Sequence, residues 1–422
     1  MITYSGHDER TNAPRPPSVP VGELLDVIDA TAEVGPEHGG ARDRIVVHHP
    51  LQPFDPRNFN PGDLGLDGPW SFDRVTLDGA RALAMDRRGQ AAFLSGPLGA
   101  SRRSEVVELD SLVKFVQHPV RAFLRERLGI SLGDFSEDLG ESIPLELDPL
   151  EKWGVGERIL AARLAGADLD ACTAAERARG TVPPNRLADR LLDEIHLNVG
   201  LIYDEAMSRC GGASDVDSVE VAVHLDDGRL LVGTVTGVVG STIRSVSYSR
   251  LGPKHRLASW ARFLSLVAGR PGERFDVVTI GRSGAYKKNV AVSTFPHESL
   301  DVETARRHLH DLVDLYDRGM REPLPIYCAT THAYVAALQK GRDPVADAVK
   351  EWETEWGWDK EDREAEHRLV LGGDMPFESI LSVAACDGED GEGWAGDEPS
   401  RFVRYARRLW TPVFDLETVE HR

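Results

Sequence analysis

The spacing of apolar residues divides the chain into three stretches. In the first, to about position 62, the apolar signal is sparse: Ile2–Ser5 reads as a short strand, and Asn12-Ala13-Pro14-Arg15-Pro16-Pro17 follows as a polar, proline-rich stretch. Val21–Ala30 carries Leu24, Leu25 and Ile28 at helical spacing. Arg44–His48 reads as a short apolar strand, and Pro50, Pro53, Pro56 and Pro61 predict an extended linker. A lone strand and helix cannot bury their own apolar faces, so this stretch needs a partner.

From about Trp70 a period near 3.6 dominates. Leu112–Leu128, with Phe115, Val116, Phe123 and Leu124, reads as a helix pair or as one helix interrupted at Pro119, and Ile159–Ala165 and Leu187–Ile195 continue this helical wall. At Val219 the period becomes two. Val219–Leu225, the turn Asp226-Asp227-Gly228, and Leu230–Val238 predict a hairpin, followed by a strand at Ile243–Ser249. Gly252-Pro253 then leads into a helix over Lys254–Val267 with Leu257, Trp260, Ala261, Leu264 and Ser265 on one face. Strands at Phe275–Ile280 and Asn289–Phe295, and a helix from Ser299 to Arg318 with Leu300, Ala305, Leu309, Leu312, Val313 and Tyr316 on its apolar side, complete the order hairpin, strand, helix, two strands, helix. The glycine-rich acidic run Asp387–Gly393 predicts a solvated, mobile loop.

Composition changes this picture little. With 41% hydrophobic and 28% charged residues in 422, the chain should fold as one or two ordinary domains. No window approaches the roughly 18 apolar residues of a membrane span, and the first residues lack the regions of a signal peptide, so a cytoplasmic protein without membrane contact is expected. Cys172, Cys210, Cys328 and Cys386 are too dispersed for a metal knuckle or a disulfide framework and are expected as reduced thiols.

Charge is more informative. A net −20 argues against a protein that simply coats nucleic acid. Yet Arg244–Lys288 holds ten basic residues (Arg244, Arg250, Lys254, Arg256, Arg262, Arg270, Arg274, Arg282, Lys287, Lys288) against Glu273 and Asp276, a local +8 that leaves −28 elsewhere. This window predicts a DNA-facing surface.

Four collinear segments resemble one family. His49–Phe59 (His-Pro-Leu-Gln-Pro-Phe-Asp-Pro-Arg-Asn-Phe) resembles the segment that joins the second motor-like half of RecC, the gamma subunit of bacterial RecBCD helicase-nucleases (exodeoxyribonuclease V), to its carboxy-terminal domain. Leu112–Leu124 (Leu-Val-Lys-Phe-Val-Gln-His-Pro-Val-Arg-Ala-Phe-Leu) is similar to the start of that domain, Leu312–Pro325 to a late segment, and Tyr405–Trp410 to its end. The resemblance implies an α/β fold with a restriction-endonuclease-like core, a degenerate RecB-type nuclease with a mixed sheet and flanking helices, preceded by the end of a RecA-like helicase lobe. It divides the chain into residues 1–62, the end of a degenerate helicase-like lobe plus linker in which Ile2–Asn12 is the last strand and exit, and residues 63–422, the nuclease-like domain with its core at about 185–320. It also implies that most of an amino-terminal partner is missing, whether through a fragment, a split gene or a mis-called start.

A live RecB-type nuclease carries a histidine on a helix, an aspartate after a G-x-[IV] strand, and an acid and a lysine as D-Y-K on the next strand, because carboxylates and histidine hold the ion that activates water and lysine stabilises developing charge. Here Gly233-Thr234-Val235-Thr236 puts Thr236 where the aspartate belongs, and Ser247-Tyr248-Ser249 replaces both acid and lysine with serine. Asp189 stands for the histidine, with Asp193 one turn on; as an i, i+4 pair these read as solvated surface acids. No catalytic site and no metal site are therefore expected, and His48-His49 and His308-x-His310 are read as structural. The absence of G-x-x-x-x-G-K-[ST] leaves ATP binding unsupported, so Mg and ATP are expected only in partner subunits.

The expected DNA-binding residues are Arg250, Lys254 and Arg256 at a strand-to-helix turn and Arg282, Lys287 and Lys288 on the next hairpin, with Tyr248, Trp260 and Tyr286 offering rings for stacking, Trp260 more plausibly in the core. The function expected is that of a non-catalytic DNA-binding and scaffolding subunit that guides and splits strands in double-strand break repair, with RecB-like and RecD-like subunits and a double-stranded DNA end or fork as partners. An active metal-dependent nuclease using Asp189 and Asp193, or a structural partner without DNA contact, are the alternatives.

Overall fold

The computed structural model describes residues 1–7, 13–35, 40–65, 67–85, 92–99, 105–132, 147–210, 216–355, 357 and 359–422. Two compact units are present, Met1–Gln90 and Ala91–Arg422, a boundary later than the one expected at residue 62.

Among its described residues the first unit holds the helices α1 (Val19–Thr31), α2 (Ala41–Ile45) and α3 (Arg74–Ala84). Ile2–Ser5 is not a strand; among the described residues an isolated bridge pairs His7 with Pro14, and 8–12 lie outside them. Arg44–His48 is not a strand either. The backbone amide of Gly40 donates to Asp43 (3.0 Å), and Arg42 reaches back to Asp26 and Asp29 on α1, so capping and ion pairing close a helical turn there. The proline series is folded rather than extended, because Asn58 Nδ2 donates to the carbonyls of Gln52 (3.1 Å) and Pro53 (3.2 Å) around a 3-10 turn at Pro56–Asn58.

The second unit is a mixed α/β fold. A short strand β1 (Val106–Glu108) enters α4 (Leu109–Gln117), which breaks at His118 and resumes as α5 (Pro119–Ala122) and a π-helical turn to Arg127. Pro119 cannot continue the hydrogen-bond ladder and forces His118 out of helical geometry (φ −159°, ψ 79°). Helices α6 (Pro149–Leu164), α7 (Leu169–Arg179) and α8 (Asp189–Cys210) follow, then the hairpin β2 (Asp217–His224) and β3 (Leu230–Val239). β4 (Thr242–Arg250), α9 (Pro253–Gly269), β5 (Asp276–Arg282), β6 (Val290–Phe295) and α10 (Val302–Gly319) keep the predicted order. The chain closes with α11 (Cys328–Gln339), α12 (Pro344–Trp352), α13 (Ala365–Leu371), α14 (Phe377–Leu381), α15 (Arg401–Leu416) and a last strand, β7 (Thr418–His421).

The sheet runs β1-β3-β4-β5-β6-β7 with β2 on the other edge of β3. β1 is parallel to β3 and β4 to β5, and the remaining pairs are antiparallel. At the bend of β3, Gly237 has φ +88° and a Cβ there would sit 2.4 Å from the Arg244 carbonyl oxygen, so only glycine lets β4 approach. Alternation along β5 sends Val277 into a core shared with α4, α9, α10 and α15, and Val278 and Ile280 into a second core under α6, α7 and α8. The sheet is thus covered on both faces.

The acidic loop departs from expectation. Glu389 is buried; its carboxylate accepts from Arg401 Nε (2.7 Å), the Tyr405 hydroxyl (2.8 Å) and the Cys386 amide (2.8 Å), while Arg318 donates to the Gly388 carbonyl (2.9 Å). An ion-paired carboxylate pins a segment whose composition alone suggests mobility. Cys172, Cys328 and Cys386 are free thiols, and the Cys210 side chain lies outside the described residues. Among the described residues no helix is long and apolar enough to cross a membrane.

Candidate nucleic-acid interface

β4 and β5 are parallel and joined by α9, so the carboxyl end of β4 opens beside the first turn of a 17-residue helix, the place where open α/β sheets leave a crevice. Here lies a cleft of about 880 Å³, walled by Lys114, His118 and Arg121 of the α4–α5 break, Arg125, Trp153 of α6, Ser247, Ser249 and Arg250 of β4, Lys254 of α9, and Glu361, Glu364 and His367 near α13.

Helix α6 shapes one wall. A Cβ on Gly156 would stand 2.4 Å from the Tyr248 ring, so the missing side chain lets the helix settle onto β4. One residue on, Glu157 accepts from the Ser247 hydroxyl (3.0 Å) and the Tyr248 amide (2.7 Å). One turn before, the Trp153 indole Nε1 donates to the Ser249 hydroxyl (2.9 Å). Ser247 and Ser249 are therefore both engaged by α6, and Glu157, which sequence inspection did not single out, has its near oxygen committed to β4.

The other positions compared with a nuclease site stand elsewhere. Thr236 is exposed on β3, paired across to Ser218, and Asp189 opens α8 in an exposed ion pair with Arg177 (2.7 Å). Neither these two nor Asp193 lines the cleft, so the acids of the alternative nuclease do not converge with Ser247 and Ser249.

The predicted cations separate into three groups. Arg250 and Lys254 are exposed in the cleft. Lys287 and Lys288 are exposed on the β5–β6 turn, at the same end of the sheet, with Lys287 Nζ 5.2 Å from the centre of the exposed Tyr286 ring. Arg256 and Arg282 are turned inward, against expectation. Arg256 is buried against Glu417, and Arg282 lies 4.5 Å over the Tyr248 ring and donates to the Tyr248 carbonyl (2.6 Å). Tyr248 is itself fully buried, as is Trp260, so neither offers a stacking face. Two cations missed in the sequence, Lys114 and Arg125, join Arg250 and Lys254 in the cleft; all four are exposed, and none has a side-chain hydrogen bond or ion pair among the described residues. Their signal was weak: Lys114 is one polar position within an apolar helical segment, and Arg125 opens the mixed-charge run Arg125-Glu126-Arg127.

Titratable groups gather on the opposite wall. His118 Nε2 meets the Glu364 carboxylate at 2.7 Å, and one ligating atom from each of His118, Glu364 and His367 lies within 4.8 Å of the others. The donor types suit a zinc-like cation, but the ring bonds do not. His118 Nδ1 accepts the Arg121 amide (3.1 Å), which places the proton of a neutral ring on Nε2, and His367 Nδ1 is held at the Glu361 carbonyl (2.7 Å). Burial lowers the pKa of His367 to about 4; burial opposes the charge of Glu364, yet the His118 hydrogen bond and the neighbouring cations hold that carboxyl below its ordinary range. The cluster closes on itself as a hydrogen-bonded network. His308, by contrast, packs beside Trp260 with ring centres 5.7 Å apart.

Residues 104–339 match the family model described as the RecC C-terminal domain. The chain is 38% identical over 419 residues to the RecBCD enzyme subunit RecC of Mycobacterium tuberculosis (strain ATCC 25618 / H37Rv), covering 99% of this chain and 36% of that protein. It is 36% identical over 420 residues to the subunit of the same name from Mycolicibacterium smegmatis, again covering 99% and 36%. With that of Escherichia coli (strain K12) it shares 24% over 332 residues, 76% of this chain and 27% of that protein. The chain spans about a third of the length of the mycobacterial relatives.

Proposed function

The chain belongs to the RecC family, and from that premise we propose that it serves as a non-catalytic, DNA-guiding and scaffolding part of a RecBCD-type helicase-nuclease in double-strand break repair. Its sheet is that of a restriction-endonuclease-like nuclease that has lost its chemistry, and residues 1–62 correspond to the end of a helicase-like lobe with its linker. RecB-like and RecD-like subunits are the partners, and they supply the ATP- and Mg-dependent steps in the cytoplasm.

One observation carries this reading: where a nuclease would present an acid and a lysine, Ser247 and Ser249 are bonded to Glu157 and Trp153, while Lys114, Arg125, Arg250 and Lys254 line the cleft without an ion pair among the described residues. Neutral hydroxyls lack the negative charge with which carboxylate oxygens hold a divalent ion. Unpaired cations in a crevice attract phosphates without cutting them. Lys287 and Lys288 extend the basic surface beyond the cleft; Arg256 and Arg282 do not take part.

The test is the assembled complex carrying Lys114, Arg125, Arg250 and Lys254 all changed to alanine. Binding to forked DNA is expected to weaken and to lose salt dependence; unchanged binding refutes the surface. Magnesium-dependent cleavage of linear DNA by the purified chain refutes the non-catalytic assignment.

A further inference from the structure

Trp153 stands apart from the other large aromatic residues of the cleft region. Its residue is 36% exposed, whereas Tyr248 behind it is fully buried. Among the described residues no other ring and no cation lies over its face. The indole is nevertheless fixed, because its Nε1 is tied to Ser249 and its helix is pressed onto β4 at Gly156. A partly exposed, oriented ring that shares the cleft with Arg250 and Lys254, neither of which has an ion pair among the described residues, combines the two elements of single-strand recognition: cations for the phosphates and a flat apolar ring for a base.

We propose that Trp153 is a stacking platform for one unpaired nucleobase of a DNA strand held in this cleft, with Ser249 as the residue that positions its ring. This rests on the DNA-guiding reading above. A paired base has its faces covered by its neighbours and cannot lie on the indole, so the ligand is single-stranded or locally unpaired DNA. Since every base has a π face, the contact is tolerant of sequence.

The experiment uses the assembled complex containing the full chain and a thymidine oligonucleotide with 5-iododeoxyuridine at successive positions, irradiated and mapped by peptide mass spectrometry, with binding measured in parallel. An adduct on Trp153 is expected. Trp153→Ala should weaken oligonucleotide binding roughly tenfold, whereas Trp153→Phe, which keeps a ring but loses the indole N–H that Ser249 holds, should weaken it less. Ser249→Ala should leave stability unchanged while lowering the adduct yield at Trp153. No adduct at Trp153 in the unaltered complex, or equal loss for the phenylalanine and alanine variants, overturns the proposal. If the four-cation variant loses binding while Trp153→Ala does not, stacking fails and the DNA-guiding reading survives. If neither change matters, both fail.

Discussion

Arg256 and Glu417, 161 residues apart in sequence, form a buried ion pair whose side chains are 9% and 1% exposed. Ser293 Oγ also donates to Glu417 (2.5 Å), and the guanidinium lies 5.0 Å from the centre of the Phe414 ring. The pair fastens α9 to the turn between α15 and β7. Because removing one partner strands a buried charge, Arg256→Ala is expected to destabilise the chain by about 3–5 kcal/mol. A joint Arg256→Met, Glu417→Leu change should cost far less. Denaturant unfolding measures both, and a stable Arg256→Ala variant deficient only in DNA binding would return Arg256 to the interface.

The fit of α6 on β4 depends on one absent side chain. In Gly156→Ala the new Cβ would enter the Tyr248 ring, so the helix must move, at a cost of roughly 1–3 kcal/mol. As Trp153 and Glu157 ride on the same helix, single-strand binding should fall with the melting temperature. Gly154→Ala, whose Cβ would meet only the tip of Arg158 at 3.2 Å, serves as the tolerated control.

Four unpaired cations predict the steepness of salt dependence. If all four meet phosphates, the logarithm of single-strand affinity should fall with the logarithm of salt with a slope of roughly −3, and Lys254→Ala should reduce that slope by about 0.7. A titration at several salt concentrations reads this directly, and an unchanged slope for Lys254→Ala removes that residue from the contact set.

Stability should depend on pH through Glu361. Burial pushes its carboxyl up to about 7, although it accepts from the Ala329 amide (2.9 Å) and from the Thr330 amide (2.8 Å) and hydroxyl (2.7 Å). Between the ordinary value of 4.5 and about 7 the folded chain holds a proton that the unfolded chain has released. This stabilising contribution is therefore complete below 4.5 and is lost as pH rises through 7, by roughly 3 kcal/mol. Glu361→Gln should flatten the fall in melting temperature between about pH 5 and about pH 8. His367 acts in the opposite sense: burial lowers its pKa from 6.5 to about 4, so its contribution is present above 6.5 and is lost as pH falls through 4. Glu361→Gln should leave that acid limb in place.

Much of the architecture was legible because local pattern encodes it. Strand-like patterns after Val219 located β2 to β6, and helical spacing with Gly252-Pro253 ahead of it located α9. β1 and β7 were invisible, since three or four residues carry no usable periodicity and acquire strand geometry only from β3 and β6. Arg44–His48 was misread for a similar reason: five residues took their conformation from Asp43 and from the acids of α1.

By itself the sequence determined the succession of the central elements and the likeness to RecC, because both are properties of residue type and order. Only the tertiary structure decided which charges face solvent. A cation in a basic window looks the same whether it meets phosphate or, like Arg256, a glutamate brought in from the far end of the chain, and Lys114 and Arg125 acquire their meaning only when folding brings them to the cleft beside Arg250 and Lys254. Burial and pairing are set by long-range contacts, and these are what local order does not carry.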